Sequence, residues 1–249
     1  EENNATLQTG TPEEESAQEN PQEETENLNE KNPETYPSWS GTKNSLTRSM
    51  GDKRRIRRAI KTYVLALGGH ANATKQARIA RKVTSNMLVL FVGGQEAIKH
   101  QLKEAGISVE NKSVKEVCRE IYTSLLLLGS TIEESIVNSA LANAFDTFME
   151  KEEVENMSWD NMNDDMIQEL ECLFIANTIV SKLLNDASIG MIKKARTTNE
   201  YLKAEKDIMD IVNDVVTLHA PAYLNSMTSA NVSQLVHDLY DRCYQVLED

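Results

Sequence analysis

The chain has 249 residues, with 39 Asp and Glu against 26 Lys and Arg, for a formal charge of −13. Aromatic residues make up only 5%, and four of the five prolines (Pro12, Pro21, Pro33, Pro37) fall in the first forty residues. That composition excludes a turn-rich all-β fold and points to an acidic, disordered head on an all-α body.

Residues 1–42 carry eleven Glu and one Lys among Asn, Gln, Thr, Ser and Pro, with Leu7, Leu28, Tyr36 and Trp39 as the only large apolar groups. Such a segment cannot bury enough apolar surface to offset its ordering entropy, so it reads as a disordered acidic tail. Its end, Tyr36-Pro37-Ser38-Trp39, is either a docking segment for a partner or a tether that folds onto the body; Tyr36, Pro37 and Trp39 are the candidate contacts. Residues 43–82 reverse the sign, with twelve basic residues against Asp52 alone. The remaining 167 residues hold 13 basic and 27 acidic groups. The body, 43–249, thus divides into a basic helical pair (43–93) and an acidic helical core (94–249).

Ile56, Ile60, Tyr63, Val64 and Leu67 recur at spacings of three and four, predicting a helix over 52–67. Gly68-Gly69 ends it, and a second helix is predicted over 71–92, closed by Gly93-Gly94. Ser113 and Glu116 form a capping-box pattern before Val117, Ile121 and Leu125; Ser130 and Glu133 repeat it before a helix with Ile132, Ile136, Ala140, Ala144, Phe145 and Phe148 inward. Residues 151–165 read as an acidic loop. Asn163 then caps the most apolar helix, through Ile167, Leu170, Phe174 and Leu183. Two more helices follow, over 200–218, with Leu202 among its inward residues, and from Val232 to Leu247. About seven helices in a single bundle are expected.

No pattern specifies an enzyme. The glycines before Lys75 lack the ending of a phosphate-binding loop, and His70, His100, His219 and His237 make no HxxxH or HExxH. Cys118, Cys172 and Cys243 are odd in number without a CxxC, so they read as buried structural thiols in a reducing, cytoplasmic setting. No cofactor and no metal site are expected. The longest uncharged run, Val83 to Gln95, has thirteen residues, short of the ~18–20 that span a bilayer.

The pointed feature is the basic block. Arg54, Arg55, Arg57, Arg58 and Lys61 spread over the polar arc of one helix, and Arg78, Arg81 and Lys82 over the next. They can contact phosphate, an acidic partner surface, the acidic remainder of the fold or an anionic membrane. Tyr63 is the only interleaved aromatic, which argues against base stacking.

Taken in order, Tyr36-Pro-Ser-Trp39, Gly51-Asp-Lys-Arg-Arg-Ile-Arg-Arg58, Tyr63-Val64, Gly68-Gly69, the helix through Arg78 and Arg81, Gly129-Ser-Thr-Ile-Glu133 and Phe145-Asp-Thr-Phe-Met149 resemble the QatB family, the B component of the bacterial Qat antiphage defence system. The resemblance implies a non-catalytic helical adaptor. Its implied companions are an ATPase (QatA), a QueC-like protein (QatC) and a TatD-like nuclease (QatD). It also implies that the flexible N-terminal arm is presented for modification with a deazaguanine base. The alternative is a nucleic-acid-binding helical protein that uses the 43–82 block.

Overall fold

The computed structural model describes residues 36–195 and 197–249. The acidic tail and its arm, 1–35, lie outside the described residues. Among the described residues the elements are helices without strands: α1 (Trp39–Ser49), α2 (Lys53–Ala66), α3 (His70–Gln76), α4 (Arg78–Val89), α5 (Gln95–Glu104), α6 (Val114–Leu125), α7 (Ile132–Met149), α8 (Asp164–Lys194), α9 (Thr198–Leu224) and α10 (Val232–Glu248). The body is all-α.

The ten helices exceed the expected seven for identifiable reasons. The stretch predicted as one helix over 71–92 breaks at Ala77, whose ψ of 20° leaves the helical range and separates α3 from α4. Neither glycine nor proline marks the break; α10 packs on both halves and selects it. Short α5 buries only Ile98 and Leu102, too few apolar residues to announce itself. Helix α1 begins at Trp39, inside the stretch assigned to the tail, and is capped by Ser38, whose Oγ accepts from the Gly41 N–H at 3.1 Å.

Helix α8 is the axis of the fold. It is apolar all round through Phe174, Ile175, Ala176, Ile179 and Val180, which are buried consecutively with Asn177 and Thr178. A helix with no solvent face must be covered by others. It is: α7, α9, α1 and α4 all pack against it. Its start follows the sequence pattern, with Asn163 Oδ1 accepting from the Met166 N–H at 2.9 Å and Asp164 and Asp165 in the first turn, where the helix dipole favours them.

The capping box at Ser113 and Glu116 is present. The second box is one residue later than the pattern suggested: Thr131 is the N-cap and Glu134 its partner, while Ser130 also donates its N–H and hydroxyl to Glu134. Those hydrogen bonds stabilise the ionised Glu134 and hold its carboxyl below the usual range. The shift turns Ile132 outward, 71% exposed, whereas Ile136, Ala140, Ala144, Phe145 and Phe148 face the core as expected. Leu202 is likewise exposed rather than inward. Pro221 lies inside α9 without ending it; its missing N–H deprives a single helical carbonyl of its donor.

The acidic stretch after α7 is an ordered connection with two short 3-10 turns. Backbone bonds from the Val114 N–H to the Met157 carbonyl and from the Trp159 N–H to the Lys112 carbonyl pin it beside α6, and Trp159 is swallowed by the core.

One polar cluster ties three helices together in the interior. The Tyr240 hydroxyl of α10 lies 3.0 Å from Thr84 Oγ1 of α4 and 2.7 Å from Thr178 Oγ1 of α8. Both threonines also donate to carbonyls of their own helices, so their oxygens stay partly satisfied without the tyrosine. Tyr240→Phe is therefore expected to cost about 1–2 kcal/mol, near the worth of one buried hydrogen bond, measurable as a lowered urea midpoint with an unchanged m-value.

Candidate partner-binding surface

Helix α2 is divided by its own spacing. Ile56, Ala59, Ile60, Tyr63 and Val64 enter the core, which forces the residues between them outward. Arg54, Arg55, Arg57 and Arg58 are exposed and Lys61 is half-buried. Asp52 caps the helix through the N–H groups of Arg54 and Arg55 and pairs with the Arg55 side chain at 3.2 Å. Lys53 approaches Asp210 at 3.8 Å, and Lys61 Nζ donates to the Asp249 carbonyl at 3.0 Å. Among the described residues, the Arg54, Arg57 and Arg58 side chains have no carboxylate within 4 Å.

Tyr63, the interleaved aromatic, is not part of that surface. It is 2% exposed and its hydroxyl donates to Asp186 Oδ2 of α8 at 2.8 Å. Burial, then the neighbouring Asp186 charge, pushes its phenol well above the usual value. Trp39 packs its ring 5.7 Å from that of Tyr63, with Lys43 Nζ 5.5 Å from the indole centroid, and keeps 38% of its surface exposed. Tyr36 and Pro37 are half-buried beside it.

The second basic helix does not extend the same surface. Arg81 turns toward α10, its Nη1 2.7 Å from His237 Nδ1 and its Nε buried without a partner among the described residues. Arg78 and Lys82 stay exposed on α4, spaced four apart and so on one face.

What joins the α2 arginines is a groove of about 530 Å3 between α2, α9 and α10. One wall is Lys53, Arg54 and Arg57. The other is Ile211, Val215 and Leu218 of α9 with Val246 of α10, and Asp214 stands at the edge. Leu218 is 74% exposed. The sequence reading missed this apolar wall, although the exposed Leu218 falls three residues after Val215 on a helix whose inner face was already occupied.

Among the described residues no three or more His, Cys, Asp and Glu side chains gather as a metal ion requires. His70 and Thr74 both turn to Asp241 Oδ1, and Glu248 Oε2 accepts from the His70 N–H, so this cluster fastens α3 to α10. Burial pushes the thiols of Cys118, Cys172 and Cys243 up to about 12, which keeps them protonated and unreactive at neutral pH.

A family model described as QatB, the Qat anti-phage system associated protein, matches residues 68–247. The chain belongs to the QatB family. It is therefore a component of an anti-phage defence system. The match takes in α3 through α10, and the basic helix α2 precedes it. No curated protein and no solved structure matches the chain significantly. No helix among the described residues is long and apolar enough to cross a membrane.

Proposed function

We propose that this chain is a non-catalytic adaptor of the Qat system, docking an acidic, partly apolar segment of another Qat component in the groove between α2 and α9. The observation that carries this reading is the groove's mixed lining. Arg54 and Arg57 offer charge without a carboxylate within 4 Å among the described residues, while the exposed Leu218 and the half-buried Val246 across from them offer apolar surface, backed by the buried Ile211 and Val215. A phosphate backbone uses only the first wall; an amphipathic helix with an acidic flank uses both.

The QueC-like and TatD-like subunits are the leading candidates for the docked partner, with the ATPase third. The N-terminal arm, as a substrate for deazaguanine modification, completes the reading as the part this adaptor presents. Tyr36, Pro37 and Trp39, at the base of that arm, form a second contact in the same assembly.

Co-purification of the full chain with its Qat companions tests the reading. Arg54→Glu with Arg57→Glu is expected to weaken the retained partner at least tenfold at ~0.15 M salt, and Leu218→Asp to do the same while leaving thermal stability unchanged. Should the arginine pair abolish retention of nucleic acid while Leu218→Asp changes nothing, the groove is a phosphate site and the adaptor reading is wrong.

A further inference from the structure

Glu171 is buried on α8, 6% exposed, and its carboxyl has no hydrogen-bond donor among the described residues. Its oxygens are not among the buried atoms sealed away without a partner, so the carboxyl opens onto the space beside it and can accept from a donor there. It lies in the wall of a cavity of about 320 Å3, at the lower end of the range that holds small ligands.

The cavity is built for this group. Asp164 and Gln168 stand seven and three residues before Glu171, on the same face of α8. Asn225, just past α9, closes the rim, its Oδ1 accepting from Gln168 Nε2 at 3.5 Å. Opposite runs the Gly93-Gly94 turn, with φ of +99° and +82°. A side chain at Gly94 would be strained by that φ, although its Cβ would meet nothing within 4 Å. Lining it are two carboxyls, two side-chain amides and apolar residues, without Lys, Arg or His.

We propose that this cavity is a receptor for an organic cation, an ammonium or guanidinium group on a short chain, held by Glu171 in the interior and Asp164 at the mouth. A cation is the only charge class the lining favours; an anion would meet two carboxyls. The ammonium or guanidinium supplies the donors that Glu171 lacks, and the apolar walls take its methylene chain.

Binding moves one proton. Burial raises the Glu171 carboxyl to about 8, so at neutral pH it is mostly protonated and gives its proton to solvent when the cation enters. The ionisable side chains in the cavity lining are the carboxyls of Glu171 and Asp164; α4, the glycine turn and the end of α9 bring none. The neighbouring Cys172 thiol, pushed up to about 12, stays protonated throughout.

The cation has two possible sources, a free amine or a basic side chain of a peptide, and calorimetric titration of the full chain with agmatine and with the blocked peptide Gly-Arg-Gly separates them. The tighter of the two names the source. Affinity is expected to rise roughly 25-fold from pH 6.5 to 8.5, with close to one proton released at pH 7 as judged from buffers of different ionisation enthalpy. Glu171→Gln is expected to lose at least tenfold and the proton release; Asp164→Asn, on the exposed rim, loses a few-fold and keeps the release. No heat from either probe up to millimolar concentration, or equal affinity in the wild type and Glu171→Gln, overturns the proposal.

Discussion

Replacing Trp159 by Ala is expected to lower stability by roughly 3–5 kcal/mol, a large share of the ~5–15 kcal/mol that holds a domain together. Trp159 is the largest side chain among the fully buried residues, 1% exposed, and it sits in an irregular connection between α7 and α8. The rest of that connection is held by two backbone bonds to the strand-like approach to α6, by the buried Val154 and Met162, by ion pairs of Lys99 with Asp160, Lys115 with Glu155 and Lys151 with Glu169, and by Gln95 Nε2 donating to the Met162 carbonyl. Removing the indole opens a cavity that a segment pinned at both ends cannot collapse to fill. The indole N–H has no partner among the described residues, so Trp159→Phe loses packing but no hydrogen bond and is expected to cost less than half as much. Guanidinium unfolding followed by circular dichroism measures both. Equal losses in the two variants would show that the nitrogen, not the volume, is what matters.

The second large effect is a pH dependence carried by Glu171. Its carboxyl is raised to about 8 in the folded chain against an ordinary 4.5, because burial disfavours the charged form. Between those values the native state binds a proton that the unfolded chain has released. Stability from this group is therefore complete below about 4.5, declines as pH rises toward 8 and is level above it. The full decline is on the order of 5 kcal/mol. Glu171→Gln removes the group that must ionise while keeping its shape. The variant is expected to lose that decline, and to be more stable than the wild type at pH 8.5 by a similar margin. Melting temperatures of both proteins from pH 5 to 8.5 decide it; parallel curves would mean that Glu171 is already charged at neutral pH. Glu205, raised more modestly by its partial burial, contributes a smaller slope of the same sign in both proteins.

These two residues show how unevenly the sequence was legible. The all-α class, the helix over 52–67, the caps at Ser113 and Asn163, and the strongly apolar character of the helix that Asn163 starts followed from spacing and composition, because each is a local pattern. An apolar face at period 3.6 has one arrangement that buries it, and a cap needs only its own first turn. The arginines of α2 were visible for the same reason: once the inner face is assigned, the rest must be outside.

The break at Ala77 and the inward turn of Arg81 were set by neighbours distant in sequence. Helix α10 packs on both α3 and α4, and Arg81 meets His237 of α10 across 156 positions of chain. The groove that gives Arg54 and Arg57 an apolar facing wall depends on α9 lying beside α2, and the cavity that leaves Glu171 without a partner depends on the Gly93-Gly94 turn meeting the end of α9. A glutamate on a helix is ordinarily a solvated residue, and nothing within a few positions of Glu171 says otherwise. By itself, then, the sequence determined the helices and most of their inner faces, since those depend on neighbours three and four residues away. Only the tertiary structure decided which outer faces meet, because burial and partnership belong to pairs of surfaces and not to single segments.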